Sequence, residues 1–286
     1  HSGTLSQDEM RAAVSEPVPS ARRPFAALAP HLADRALAED SARSTHRLTI
    51  ERELQKSLEE LAQSALFGLP DSLSVAIVVA DHQTGEIHAS VGSASYGRAD
   101  ARQGFVDMTR ALRSPGSTLK PLVYALAFDR GLAHPQTLNR DRPHSFDGYA
   151  PQNFDGAFRG EVTVEDALRQ SLNIPVVLLT DEIGPAHLMA ALRKTGARTA
   201  LTGGPPGKAV AHGGVGISLT DLVKHYAMIG QGGRATDLHW RKGQRPDLAS
   251  HVSSRSAAWH VGDILAGLAP PPGAPRGRLA YKTGTS

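Results

Sequence analysis

Three short segments hold residue types able to transfer an acyl group, and they stand in one order along the 286 residues: Ser117-Thr118-Leu119-Lys120, Ser171-Leu172-Asn173 and Lys282-Thr283-Gly284-Thr285. A serine hydroxyl is a weak nucleophile and needs a base beside it. Lys120, one helical turn after Ser117, shares a helical face with it. To act as that base, a lysine must have its pKa lowered from about 10.4 to about 7–8, a differential cost of about 4 kcal/mol. Burial and a second cation supply such a shift, and Lys282 is the candidate cation. The same ammonium would attract a substrate carboxylate. Ser171 and Asn173 add a hydroxyl that can pass a proton and an amide that can anchor a peptide.

Order carries more weight than any one segment. With 23 Ser and seven Lys, about 0.6 Ser-x-x-Lys matches arise by chance. Only Asn139, Asn153 and Asn173 occur, and only Asn173 has a Ser two positions before it; alone, Ser171 and Asn173 would suit the end of a helix. Lys-Thr-Gly is expected roughly 0.04 times, yet it occurs at Lys194 and again at Lys282. The first copy follows Leu188, Ala191 and Leu192 at helical spacing, which predicts a last helical turn capped by Gly196. The second follows Leu279-Ala280-Tyr281, where a strand is expected, and is the functional copy.

Composition narrows the function classes. Seven Lys and 24 Arg against 28 acidic residues leave a net charge of +3, with no basic run interleaved with aromatics, so nucleic-acid binding is not expected. There are no cysteines, which excludes disulfides and thiolate metal sites. Thirteen histidines, His82, His88, His212 and His225 among them, show no metal-ligand spacing and read as surface or packing residues; no metal and no cofactor is expected. Gly213, Gly214, Gly216, Gly230, Gly232 and Gly233 read as turns rather than a phosphate cradle. The longest apolar runs, 75–80 and 176–179, fall far below the roughly 20 residues of a membrane span, and no signal peptide is visible.

The elements that must position the three segments follow from periodicity. Residues 1–45 are rich in Ala, Arg and Pro and read as a connector. Leu54, Leu58, Leu61 and Ala65 predict a helix over 50–66, with Thr49 as its N-cap. Residues 73–80 and 86–92 predict a hairpin of the main sheet. A helix beginning at Pro115-Gly116 would carry Ser117 on its first turn and end near Gly131. Thr163-x-x-Asp166 and Ser218-x-x-Asp221 are capping boxes, residues 253–268 are helical, and residues 278–285 should form a strand. Sheet and helices together give a mixed α/β (α+β) fold in two regions.

The stretch from Val106 to Pro121, with Asn153-Phe154-Asp155 and Ser171-Leu172-Asn173-Ile174-Pro175, resembles the transpeptidase domain of bifunctional (class A) penicillin-binding proteins of the 1C type. The likeness runs from about residue 20 to the end, with Glu51 where the family usually has Asp. It implies a penicillin-binding protein/β-lactamase-like transpeptidase fold, with a central antiparallel sheet and a helical subdomain. Residues 1–45 would then connect to a preceding glycosyltransferase domain and 46–286 would form the transpeptidase domain, incomplete at its C-terminus and expected to fold poorly or be inactive alone. The implied catalytic residues are Ser117, Lys120 and Ser171; Asn173, Lys282, Thr283, Gly284 and Thr285 would bind substrate. Thr283 and Thr285 would hold the carboxylate, Asn173 a peptide amide, and the backbone N–H groups of Ser117 and Thr285 would form an oxyanion hole. The implied partners are peptidoglycan stem peptides and β-lactams, on the periplasmic side of the bacterial inner membrane. A β-lactamase shares the motifs, but no deacylating Glu-x-x-x-Asn element follows Asn173. A β-lactam receptor or non-catalytic wall scaffold remains the alternative of a different class.

Overall fold

The computed structural model describes residues 6–15, 27–97, 103–145, 150–201, 207, 210, 214–244, 250–274 and 279–285. Helices α1 (Gln7–Ser15), α2 (Pro30–Glu39) and α3 (Arg52–Ala65) come first. Pro30 sits at the start of α2, where its missing N–H costs nothing. Leu32 and Ala36 of that helix bury with Ala29, Ile87 and Trp240 in a small second core.

Strands β1 (Ile77–Ala80) and β2 (Ile87–Val91) form the expected hairpin, antiparallel from Ile77 opposite Val91, with a bulge at Val79/Ala80. Helix α3 is tied to it by buried Gln55, whose Nε2 donates to Ser90 O (3.0 Å) and whose Oε1 accepts from Ser90 N–H (2.8 Å). Thr49 does not cap α3. Its hydroxyl donates to Ile87 O at 2.6 Å, and Glu51 takes the N-cap position without a side-chain bond. A buried strand carbonyl needed a donor, and that demand outweighed the local capping preference.

The expected helix after Pro115 opens as a 3-10 turn over Gly116–Leu119 and becomes α4 only at Lys120–Asp129. Pro121 is the cause. It has no N–H to give Ser117 O, and in an α-turn its ring would meet that carbonyl; the tighter Lys120 N–H bond to Ser117 O replaces it. Every residue from Lys120 to Ala127 is buried, so α4 is a central helix that meets solvent only at its C-terminal end.

Around it lie β3 (Leu138–Asp141), β4 (Gly160–Thr163), α5 (Val164–Arg169), α6 (Asn173–Ile183), α7 (Pro185–Lys194), β5 (Thr199–Ala200), β6 (Gly216–Ile217), α8 (Leu219–Gly230) and α9 (Arg255–Ala266). Helices α6 and α9 pack directly on α4. Both capping boxes form: Thr163 and Ser218 each accept the backbone N–H three residues on, at 3.1 Å. The Lys194 triplet is a helix end, with Thr195 at the C-cap and Gly196 at φ 77.

Two strand expectations need correction. Among the described residues the strands pair as three separate two-stranded antiparallel sheets, β1–β2, β3–β4 and β5–β6, rather than one central sheet. Residues 279–285 join no ladder among the described residues; Arg278 lies outside the described residues. Tyr281 Oη donating to Ala269 O (2.6 Å) anchors the segment instead. Of the glycines expected in turns, Gly232 and Gly233 (φ 63 and 88) make one, Gly216 lies in β6, Gly230 ends α8, and Gly213 is outside the described residues. Among the described residues no single helix is long and apolar enough to cross a membrane.

Buried His225 gives the fold a pH dependence. Its Nδ1 faces Asp221 O at 2.9 Å, and a carbonyl only accepts, so Nδ1 carries the proton and Nε2 is left without a partner among the described residues. Burial lowers its pKa from 6.5 to about 4. Between those values the unfolded chain binds a proton that the folded chain refuses, so this stability is full above pH 6.5 and is lost toward pH 4. The expected loss is about 3 kcal/mol across that window. Urea midpoints of the parent should fall accordingly, whereas His225→Leu should flatten this part of the slope; an equally steep slope would place the titrating group elsewhere.

Candidate active site

The 3-10 turn ahead of the central helix presents Ser117 to a cleft of about 600 Å³. This turn is fixed from α8 by Tyr226, whose hydroxyl donates to Thr118 O at 2.8 Å. Three residues on, Lys120 is the one charged side chain in the buried run of α4, 0% exposed. A cation there must be surrounded by acceptors. Nζ donates to Ser171 O (2.6 Å), Leu172 O (3.1 Å), Ser171 Oγ (3.3 Å) and Asn173 Oδ1 (2.6 Å); among the described residues none of its bonds goes to Ser117.

Those acceptors come from the joint between α5 and α6. Ser171 has φ 57, a left-handed conformation uncommon for a residue with a Cβ. The sharp reversal lets Ser171 and Leu172 aim consecutive carbonyls at one ammonium. Strain of this kind is costly and concentrates where function demands it. Asn173 opens α6, and both ends of its side chain face protein: Oδ1 meets Lys120 and Nδ2 donates to Gln152 O at 2.6 Å.

Lys282 completes the cluster. Its Nζ donates to Ser171 Oγ at 2.8 Å and to Thr283 O at 2.7 Å. Ser171 Oγ therefore joins both lysines. Gly284 lies against the turn that carries Ser117: a Cβ added there would stand 2.9 Å from Thr118 N and 3.1 Å from Pro115 O. Thr283, Gly284 and Thr285 line the cleft together with Ser117, Ser171 and Asn173.

Electrostatics follow from this packing. Burial first, and the Lys282 charge second, lower the Lys120 pKa from 10.5 to about 7. Burial also brings Lys282 down, to about 8. A neutral Lys120 amine keeps two N–H donors, enough for Ser171 O and Asn173 Oδ1, and has a lone pair left to take a hydroxyl proton. Lys282 holds its charge to higher pH. One amine suited to base work and one ammonium suited to an anion thus meet at one serine hydroxyl.

This arrangement is accompanied by a direct family match: the penicillin-binding protein transpeptidase domain matches residues 75–286. The chain belongs to that family. It is 37% identical over 289 residues to Penicillin-binding protein 1C of Escherichia coli (strain K12), covering 99% of this chain and 37% of that protein. Penicillin-binding protein 1F of Bacillus subtilis (strain 168) is 32% identical over 143 residues, 49% of this chain and 19% of the relative. The chain thus spans little more than a third of the 1C relative's length. The structure of PonA1 from Mycobacterium tuberculosis in complex with penicillin V shares the fold, with a TM-score of 0.69, 20% identity, and coverage of 83% of this chain and 70% of that one.

Within this penicillin-binding transpeptidase domain, all eight residues singled out from sequence meet at or beneath one cleft, six lining it and Lys120 and Lys282 linked through Ser171. Sequence reasoning gave no role to Asn153, which lines the cleft, or to Asp141 and Tyr226, which hold the cluster through it and through the Ser117 turn. For Asn153 a signal was present, since it is one of three asparagines and heads Asn153-Phe154-Asp155. Asp141 and Tyr226 act across 12 and 108 residues and leave no local pattern.

Proposed function

We propose that this chain supplies the D,D-transpeptidase step of peptidoglycan cross-linking, through an acyl enzyme on Ser117. Lys120 Nζ, neutral, takes the Ser117 Oγ proton as Oγ bonds to the carbonyl carbon of the penultimate D-alanine. The backbone N–H groups of Ser117 and Thr285 receive the developing oxyanion; one such donor is typically worth about 10²–10³ in rate. The peptide C–N bond then breaks, and the departing D-alanine nitrogen gains a proton through the Ser171 hydroxyl. Lys282 with Thr283 and Thr285 holds the terminal carboxylate. Asn173 Nδ2 takes a substrate amide carbonyl in exchange for Gln152 O. In the second half-reaction the amine of a neighbouring stem peptide attacks the ester, passes its proton back along Ser171 and Lys120, and releases Ser117. A β-lactam enters the first half-reaction and stalls there. The site of action is the outer face of the bacterial inner membrane, in the periplasm.

The observation that carries this reading is the single hydroxyl, Ser171 Oγ, bonded to both Lys120 Nζ and Lys282 Nζ beside the Ser117 cleft. Incubation of the complete protein with a pentapeptide glycan should yield free D-alanine and cross-linked dimer, both lost in Ser117→Ala. Penicillin labelling without either product would favour a receptor; a penicilloyl adduct cleared in milliseconds would favour a β-lactamase.

A further inference from the structure

Behind the cleft, at the end of β3, Asp141 is a fully buried carboxylate. Its oxygens accept from Asn153 Nδ2 (3.0 and 2.8 Å) and from the backbone N–H of Arg159 (2.8 Å). Asn153, itself buried, donates through the same Nδ2 to Ala157 O at 2.8 Å and accepts the backbone N–H of Asn173 on Oδ1 at 2.8 Å.

These bonds leave Asn153 one orientation. A carboxylate only accepts, so it must hold Nδ2, and Oδ1 is then turned toward the first N–H of α6. A reversed amide would set oxygen against carboxylate on one side and N–H against N–H on the other. The chain continues inward: the Asn173 so fixed accepts Lys120 Nζ on Oδ1 at 2.6 Å. Burying a carboxylate is costly, and here the charge serves to read out which end of an amide faces the site.

We propose that Asp141, acting through Asn153, is a positioning residue that fixes Asn173 and through it Lys120 for the acylation of Ser117. This inference rests on the acyl-transfer reading above. The titratable groups around Lys120 are Lys282 across Ser171 and Asp141 two side chains away; Tyr124, one turn along α4 and fully buried, faces Asp141 and stays neutral.

The test measures the rate of Ser117 acylation by a fluorescent penicillin across pH, together with the thermal unfolding midpoint, in the complete protein. Three forms are compared: the parent, Asp141→Asn, and the exchange Asp141→Asn with Asn153→Asp. In Asp141→Asn the amide at 153 loses its directing carboxylate, and acylation should slow about 10- to 100-fold while the protein stays folded. In the exchange, the new Asn donates to the new Asp, which still accepts the Asn173 N–H, but its second oxygen meets Ala157 O where an N–H stood, so the rate should recover only in part, by about threefold to tenfold. The carboxylate also stands one link nearer Lys120, so its pKa rises and the acid limb of the profile moves to higher pH.

A parental rate in folded Asp141→Asn would overturn the proposal. So would an exchange variant that folds but stays slow, or whose acid limb does not move. Should Asp141→Asn fail to fold, the exchange decides by the same two readings. If the parent shows no labelling that depends on Ser117, the acyl-transfer reading falls, and this inference with it. Ser117-dependent labelling indifferent to Asp141 rejects the positioning role alone.

Discussion

Replacing Lys120 by methionine is expected to slow acylation of Ser117 by about 10²–10⁴-fold and to erase the acid limb of its pH profile. Lys120 Nζ is the only side-chain nitrogen that bonds to both Ser171 and Asn173 among the described residues. Methionine offers similar length and no proton acceptor of useful basicity. In the parent, the amine must be neutral to take the Ser117 proton. Below about 7 it is protonated, and the rate should fall tenfold per pH unit. Above about 8 Lys282 loses the charge that attracts a carboxylate, and the rate should fall again. The two lysines share Ser171 Oγ, so these limbs are macroscopic values of the pair. Labelling rates followed on both sides of this window check the claim; a Lys120→Met profile that keeps its acid limb would assign the base to another group.

Gly284→Ala is expected to cost about 10²-fold in the same rate with little change in the unfolding midpoint. The added methyl would stand 2.7 Å from Thr118 Cγ2 and 2.9 Å from Thr118 N. A side-chain methyl can rotate away, but the backbone nitrogen belongs to the turn that carries Ser117 and is pinned by Tyr226. Residues 283–285 must therefore back away from the nucleophile, and the Thr285 N–H moves off the developing oxyanion. Gly284 is exposed and sits outside the core, so the fold loses little. A parental rate in this variant would show that the close approach is not needed.

Local signals gave up most of the elements. The capping boxes at Thr163 and Ser218, the hairpin around Asp81–Gly85 and the demotion of Lys194-Thr195-Gly196 to a helix end each depend on residues within a few positions of one another. The motifs were legible as chemistry for the same reason, and their order assigned Lys282 as the functional copy. What stayed hidden depends on partners far along the chain. Thr49 left its capping role for a carbonyl 38 residues away. Ser171 adopts φ 57 because Lys120 requires two adjacent carbonyls, a demand set 51 residues earlier. The 3-10 turn at Ser117 was readable in principle, since Pro121 forbids the α-bond; proline's place early in a helix hid its effect on the residue four before it. Residues 279–285 are held by the close approach of Gly284 to Thr118 and by the Tyr281 bond to Ala269 rather than by a ladder, and alternation of side chains reports only on ladders.

The two lysines also separate roles that composition could not. Both are drawn down by burial, Lys120 further because it is the more deeply enclosed, so the repulsion between the two ammoniums is relieved by Lys120 giving up its proton first. That difference of about one pH unit leaves a window in which one is a base and the other an ion. Lys282→Ala would remove both the carboxylate's partner and part of the force that keeps Lys120 neutral.

The most direct measurement is the site of the penicilloyl group. The complete protein is treated with penicillin, quenched in acid, digested and mapped by tandem mass spectrometry. The expected result is a single adduct on the peptide containing Ser117, located at its Oγ and absent from Ser117→Ala. An adduct on Ser171 or any other residue, or a parent protein that remains unmodified, would contradict the assignment of Ser117 as the nucleophile.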